Sequence, residues 1–412
     1  VNSEPDVVIV GAGAAGISAA MALAGHGLDI VVIEALDRTG GRGWTRKTRA
    51  GPLDLGCGWL HSADRNPWVG IAERSGFEVV RGPTAWGSQF QDLGFSPEEQ
   101  RSVREESSAL FERLSRWPPA SDRASDALDP HGRWTAWLQA KSGFGNGDEL
   151  ERISARDYVA YESSSTNHNW RVSSGYGTLI SSSMPQGVDV HLNTPLQSLG
   201  LSWRRIEIGT PVGVLYPRTV IITVSTDALS SDAIAWPQEF DPWREAAHKL
   251  PLGNNEKLFL EIVGRSDFQA ETYVVGNPRD PATGSYYIRP LDMPVVECFL
   301  GGAGARRAEQ EGAQAAFDAA LAQLRSLFGH RACKCLKPLV SSDWAGTAPI
   351  GGGYSHALPT HAEARDKLAS SLDARVFFAG EATHATDFST AHGAFESGRR
   401  AALAVIESLR CP

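Results

Sequence analysis

The sequence predicts a two-part α/β fold, with a parallel sheet of the dinucleotide-binding type joined to a second, α+β domain. Three observations predict it. The apolar run Val7–Val10 is followed at once by Gly11-Ala12-Gly13-Ala14-Ala15-Gly16 and an alanine-rich helix to about Ala24. A second short strand, Asp29–Ile33, closes on an acid, Glu34. Far along the chain, Arg375–Ala379 reads as a strand delivering Gly380-Glu381, with a helix over Ala391–Leu409.

Each part of the first unit has a physical reason. Gly11 permits a tight turn, Gly13 lets the backbone approach a pyrophosphate, and Gly16 lets helix and strand pack closely. The helix start, at Ala14 and Ala15, offers unpaired N–H groups to phosphates. Glu34, at the end of its strand, is placed to accept hydrogen bonds from a ribose diol. Strand, turn, helix, strand and acid in this order define a dinucleotide site without separating NAD from FAD. Gly40-Gly41-Arg42 follows six residues after Glu34. A guanidinium there can grip a pyrophosphate bidentately while the glycines let the backbone pass beside it. Near the far end, Glu381 is placed to bind hydroxyls, and Ser389–Gly393 opens the last helix, whose N–H groups can face an electron-rich ring.

Between these ends, Pro97–Arg116 carries Val103, Leu110, Phe111 and Leu114 at helical spacings. Trp117–His131, rich in Pro, Ser and Asp, reads as a surface connection. Val188–Leu192, Arg205–Ile208, Arg218–Val224 and Lys257–Val263 read as strands, and Gln310–Leu327 as a helix. The two ends of the nucleotide fold are far apart in sequence, so that domain is discontinuous. Residues 1–76, 186–250 and 336–412 are assigned to it, and 77–185 and 251–335 to the second domain.

The 39 basic and 48 acidic residues leave a net charge of −9, which argues against a nucleic-acid partner. Five cysteines (Cys57, Cys298, Cys333, Cys335 and Cys411) form no disulfide framework, and a single Cys-x-Cys gives no metal site. No apolar stretch is long enough to cross a membrane, and a soluble, cytoplasmic protein is expected. The sequence assigns no oligomeric state.

Six ordered blocks resemble the flavin-containing amine oxidase family of monoamine oxidases, polyamine oxidases and histone lysine demethylases. They are Gly11–Arg42; Leu53–His61; Ser174–Leu179; Leu192–Leu196; Pro251-Leu252-Gly253 with Lys257; and Asp343-Trp344, Gly352–Tyr354, Gly380-Glu381 and Thr390–Ala394 taken together. In motif they are most similar to the polyamine oxidases. The resemblance implies a fold like p-hydroxybenzoate hydroxylase and glutathione reductase, with FAD bound noncovalently along Gly11–Gly16, Glu34, Ala35, Gly41 and Arg42. Leu196, where the family usually has Val, is implied to contact the adenine. Gly58, Trp59 and Leu60 are implied beside the flavin, Trp344 and Ala391 near its ring, and Gly380 and Glu381 at ribityl or ribose hydroxyls. Covalent attachment needs a cysteine before the cage tyrosine, and that position is Gly353.

The implied reaction moves a hydride equivalent from the carbon beside nitrogen to flavin N5. Imine hydrolysis follows, and O2 is reduced to hydrogen peroxide. Lys257 matches the lysine that holds a water against N5. Tyr354 matches one wall of the aromatic cage, whose other wall is here Thr390; Phe388, two residues earlier, is expected to compensate in part. His61 matches a histidine near the substrate tunnel in the polyamine-oxidase version, and His392 supports the helix start. Pocket walls are expected from Gly82–Tyr176 and Gly276–Cys298. An amino-acid oxidase or desaturase is the alternative, with Arg171 or Arg289 as carboxylate clamp, as is a biosynthetic flavoenzyme for a specialised nitrogen compound. Trp44, larger than the usual residue there, has no sequence-level account.

Overall fold

The computed structural model describes residues 3–129 and 131–410; Cys411, one of the five cysteines, lies outside them. The four cysteines within the described residues are free thiols.

Val7–Val10 forms the centre of a five-stranded parallel sheet ordered Val376–Phe378, Thr219–Ile222, Val7–Val10, Ile30–Ile33, Asp189–His191. In register, Val7 lies between Thr219 and Ile30. Period-two alternation gives each face its own core. Val7, Ile9 and Val32 pack under the helices Ala14–Leu23 and Ala391–Arg410. Val8, Val10, Val31 and Ile33 pack with Ile206, Ile208, Phe240 and Trp243 on the opposite side. Covering on both faces explains why these strands read as unbroken apolar runs. Arg205–Ile208 is the one predicted strand of this region that lies elsewhere: as Ile206–Thr210 it is the middle of a small antiparallel sheet.

A second five-stranded sheet is antiparallel, in the order Thr272–Val275, Ser285–Ile288, Val295–Gly301, Asn255–Ile262, Leu336–Ser341. One face carries Leu258, Leu260, Tyr286, Val296 and Cys298 against Phe317, Leu321 and Leu324 of the helix Ala313–Ala332. The predicted helix Gln310–Leu327 is divided: Gly312, at φ +87°, separates Ala303–Glu311 from Ala313–Ala332. The other face, with Lys257, Glu297, Phe299 and Tyr287, turns to the cavity described below. Three helices, Pro97–Arg116, Thr135–Asn146 and Ala155–Ser164, close the outer side around Leu110, Leu138 and Tyr158. No helix is long and apolar enough to cross a membrane among the described residues.

The first and last helices touch backbone to side: a Cβ placed on Gly398 would lie 2.0 Å from the Ala15 carbonyl oxygen. Overpacking a site like this costs about 1–3 kcal/mol. Gly398→Val is therefore expected to lower the thermal midpoint by at least a few degrees, whereas Gly82→Ala, with open space around it, leaves it unchanged. Thermal unfolding of the two variants checks this.

Candidate active site

One cavity of about 1440 Å³ is lined by residues of both sheets and of the three outer helices. It exceeds the roughly 300–1,000 Å³ of a pocket for a single small ligand. Its nucleotide end is formed by Gly11, Gly13, Ala14, Ala15, Glu34, Ala35, Gly41, Arg42 and Leu196. Gly16 does not face it; a Cβ there would meet the Gly11 carbonyl oxygen at 1.9 Å, so its place is in the turn packing. Gly13 and Gly41 run so close that a Cβ on Gly41 would lie 3.2 Å from the Gly13 Cα. Glu34 accepts hydrogen bonds from the backbone N–H groups of Ala12 at 2.6 Å and Leu36 at 2.9 Å. Burial raises its carboxyl above the ordinary range despite these bonds and the nearby Arg38.

Arg42 and Glu381, expected to act separately, meet here. Arg42 Nη1 donates to the Gly353 carbonyl at 2.5 Å and to Glu381 Oε1 at 3.0 Å. Glu381 also accepts from Ser355 N, Ser355 Oγ and Ser389 N. Burial works to raise this carboxyl, but Arg42, Arg365 and the hydrogen bonds together hold it below its ordinary value.

In the middle of the cavity stand Gly58, Trp59, Lys257, Trp344, Gly380 and Ala391. Leu60 is a correction: it is fully buried against Trp68 and Leu179, its backbone paired with Trp170, and it does not line the cavity. Lys257 extends from its strand over Gly58, where a Cβ would lie 3.2 Å from Nζ. Its Nζ donates to the Asp54 carbonyl at 3.1 Å and is 2.8 Å from Glu297 Oε1. Trp344 donates from Nε1 to the Leu55 carbonyl and packs edge-on against Trp44 at 6.3 Å. Trp44 in turn lies beneath the Arg38 guanidinium, 4.5 Å from its ring centre. Its size is thereby accounted for: it braces Trp344 from behind.

Much of the remaining wall is aromatic. Tyr354 donates its hydroxyl to the Phe144 carbonyl, and burial raises its phenol far above the ordinary value, so it presents a neutral ring. Thr390 lines the cavity, but its hydroxyl caps the last helix, accepting from Gly393 N and donating to the Asp387 carbonyl. Phe388 is the second correction. It is buried beneath the Arg365 guanidinium, 3.6 Å away, and against Tyr161, so it supplies no cage wall. Tyr161 lines the cavity instead. Trp59 packs with Trp86 and Tyr287 at 4.4 and 5.7 Å. His61 Nδ1 lies 2.7 Å from Asn169 Oδ1, and burial pushes the imidazole down to about 4 against that hydrogen bond. His392 Nε2 lies 3.3 Å from Asp387 Oδ1, at the start of the last helix.

Sequence reading missed Glu297, Tyr161, Asn169 and Trp86. Glu297 leaves a signal, as the one charge within the apolar strand Val295–Gly301. So does Tyr161, in the helical stripe Tyr158, Tyr161, Glu162, Ser165 that faces the cavity. Elsewhere, His384, Asp387 and Glu396 bring ligand-type atoms within 4.8 Å of one another. Arg65 occupies both Asp387 oxygens, at 2.5 and 2.7 Å, and His384 pairs with Glu396, which makes this an ion-pair network.

A parallel sheet carrying a glycine-rich turn and acid, with a lysine-bearing antiparallel sheet across the cavity, defines a dinucleotide-dependent oxidoreductase. The model of the flavin-containing amine oxidoreductase family matches residues 14–406, and the chain belongs to that family. Polyamine oxidase 4 of Oryza sativa subsp. japonica is 25% identical over 97% of this chain and 88% of its own length. Lysine-specific histone demethylase 2 of Homo sapiens is 24% identical over 96% of this chain, which spans 53% of that protein. Among solved structures, cyclohexylamine oxidase from Brevibacterium oxydans IH-35A superposes with a TM-score of 0.76 at 19% identity, covering 98% of this chain and 99% of that one. Putrescine oxidase bound to putrescine gives 0.74 at 18%, covering 99% and 100%. These likenesses show the shared fold. The cofactor is FAD, and the residues present fit it: a side-chain-free backbone cradle at Gly13 and Gly41, and a buried carboxylate, Glu34, at the cavity rim.

The His61 environment makes a prediction. Between about pH 6.5 and 4 the unfolded imidazole takes up a proton that the folded one does not, so stability falls as pH drops through this window. His61→Gln is expected to lose less of its thermal midpoint on acidification than the parent. Midpoints measured from pH 7 to 4.5 check it; parallel slopes would reassign the effect to another group.

Proposed function

We propose that the chain oxidises a primary or secondary amine, with polyamine-type substrates as the leading class, and that O2 is its electron acceptor. One observation carries the reading: Lys257 and Tyr354 face the same continuous cavity that begins at Glu34. Residues 1–76, 186–250 and 336–412 are proposed to hold FAD, and 77–185 and 251–335 to hold substrate. Noncovalent binding is proposed because Gly353 precedes Tyr354.

FAD held along Gly13, Glu34, Gly41 and Arg42 would supply the acceptor for the hydride equivalent leaving the carbon beside nitrogen; water would hydrolyse the imine, and O2 would take up the two electrons as hydrogen peroxide. The chain supplies the surroundings. A charged ammonium gives up hydride poorly, and the walls formed by Trp59, Phe144, Tyr161, Tyr287 and Tyr354 make that charge costly to bury, favouring the neutral amine. Tyr354, its hydroxyl committed to Phe144, positions the amine by its ring face rather than as a base. Lys257 has three N–H donors, of which Asp54 and Glu297 take two, leaving one for a water. His61, neutral and fixed through Nδ1, leaves Nε2 as a proton acceptor.

For an amino-acid oxidase, neither candidate clamp is free. Arg171 is held between Trp59 and Tyr287 and paired with Glu271 at 2.6 Å, and Arg289 is paired with Asp292. A substrate more elaborate than a simple polyamine is favoured by one feature. Arg104 and Lys141 line the outer cavity with no carboxylate partner among the described residues.

Anaerobic addition of spermidine or an acetylated polyamine is expected to bleach the oxidised flavin bands, and benzylamine is not. Lys257→Met should bleach with amine but reoxidise in air at least about tenfold more slowly, ~1.4 kcal/mol of barrier. Acid precipitation should release the FAD. Flavin that no amine bleaches would overturn the reading.

A further inference from the structure

We infer that Glu297 is a specificity-determining residue: it is the counter-charge that lets a cavity already holding Lys257 admit an ammonium-bearing substrate. The inference rests on the proposed amine oxidation and adds to it a reason why an amine that arrives as its ammonium form can enter, before it loses its proton at the reacting position, a site built around a cation.

Lys257 and Glu297 sit on adjacent antiparallel strands, where Lys257 faces Phe299 and Glu297 faces Phe259 in register. They therefore meet diagonally, at 2.8 Å, with side chains only 10% and 17% exposed. Charges are balanced around the cavity. Its lining includes four cations (Arg42, Arg104, Lys141, Lys257) and four carboxylates (Glu34, Glu162, Glu297, Glu381). Arg42 and Glu381 satisfy each other, and Glu34 sits at the nucleotide end. Arg104, Lys141 and Glu162 belong to the outer helices. Glu297 is thus the carboxylate that the antiparallel sheet brings to the Lys257 side. Phe299 faces Lys257 and Tyr287 faces Glu297 in register, and Trp59 and Tyr354 line the same cavity; these aromatic surfaces screen charge poorly. Asp54, the other carboxylate near Lys257, lies behind Gly58, outside the cavity lining, and is committed to Thr45, Tyr176 N and Gly177 N. Without Glu297, no carboxylate on the cavity side would stand between the Lys257 ammonium and an incoming one, and like charges in such surroundings repel strongly. With it, Lys257 keeps its donors and the pair presents no net charge to the cavity.

The test uses the FAD-loaded enzyme and an unreactive cation, benzyltrimethylammonium, with benzyl alcohol as neutral control. Binding is read from perturbation of the oxidised flavin spectrum, after FAD content and thermal midpoint have established the fold. Glu297→Gln is expected to weaken binding of the cation at least tenfold and Lys257→Met to leave it as tight or tighter. The double variant is expected to return within about threefold of the parent. Benzyl alcohol should bind all four alike. A double variant as weak as Glu297→Gln would mean that Glu297 grips the ammonium directly, and unchanged binding in Glu297→Gln would mean that it only joins two strands; either overturns the inference. Should Glu297→Gln fail to hold FAD, Lys257→Met and the double variant decide: charge balance requires the double variant to bind the cation within about threefold of the parent and no more tightly than Lys257→Met, and a double variant at least tenfold weaker than the parent overturns it. If amines bleach the parent flavin but the charge pattern is absent, this inference alone fails. If no amine bleaches it, the amine oxidation fails separately.

Discussion

A single buried carboxylate, Glu381, holds three distant parts of the chain in register. It accepts from Arg42, in the loop after the second strand, from both nitrogen and hydroxyl of Ser355, beside Tyr354, and from Ser389, just before the last helix. Arg365 extends the arrangement. It pairs bidentately with Asp157 at 2.7 and 2.8 Å and donates to Ser355 Oγ, so the outer helix Ala155–Ser164 is tied to the same centre. Removing one member of a buried pair of this kind costs about 3–5 kcal/mol, because the partner is left charged and unpaired. The network therefore constrains the turn that precedes Tyr354 as firmly as it constrains the nucleotide side.

The antiparallel sheet performs a different division of labour. On Asn255–Ile262, Leu258, Leu260 and Ile262 point to one side and pack on helices, and the alternate positions carry Asn255 and Lys257 into the cavity. The same alternation on Val295–Gly301 puts Val296, Cys298 and Leu300 inward and Glu297 and Phe299 toward the cavity. One rigid element is thus both core and active-site wall, and a slip of one residue in register would exchange the two roles.

Local chemistry was legible in the sequence; pairing across the fold was not. Val7–Glu34 could be read because its turn, helix start and acid follow one another, and backbone sterics demand the glycines at Gly11, with φ +104°, and at Gly16, where a Cβ would meet the Gly11 carbonyl oxygen. Lys257 could be placed by its position at the start of a strand, Lys257–Val263, and by its match to the family lysine. Arg42 and Glu381 were each singled out, yet their union could not be seen, since 339 residues separate them. Phe388 was misread for a related reason: nearness in sequence to Thr390 says nothing of direction, and a guanidinium from Arg365 claims its ring. Leu60 was carried along with its neighbours, although strand pairing to Trp170 turns it into the core. Trp44 looked anomalous only until Trp344 stood against it.

The meeting of the first and last helices has a consequence for how the chain reaches this state. Ser18 Oγ donates to the carbonyl of Phe395 at 2.6 Å, across 377 residues. The central strand Val7–Val10 pairs with Thr219–Ile222, and that strand with Val376–Phe378. Contacts so remote make closure entropy large and assembly slow. Until the C-terminal segment arrives, Thr219–Ile222 keeps an open edge and the apolar side of Ala14–Leu23 stays wet. A partly synthesised chain is therefore a sticky one, and its yield in a cell depends on holding that edge apart from other chains until the last helix docks.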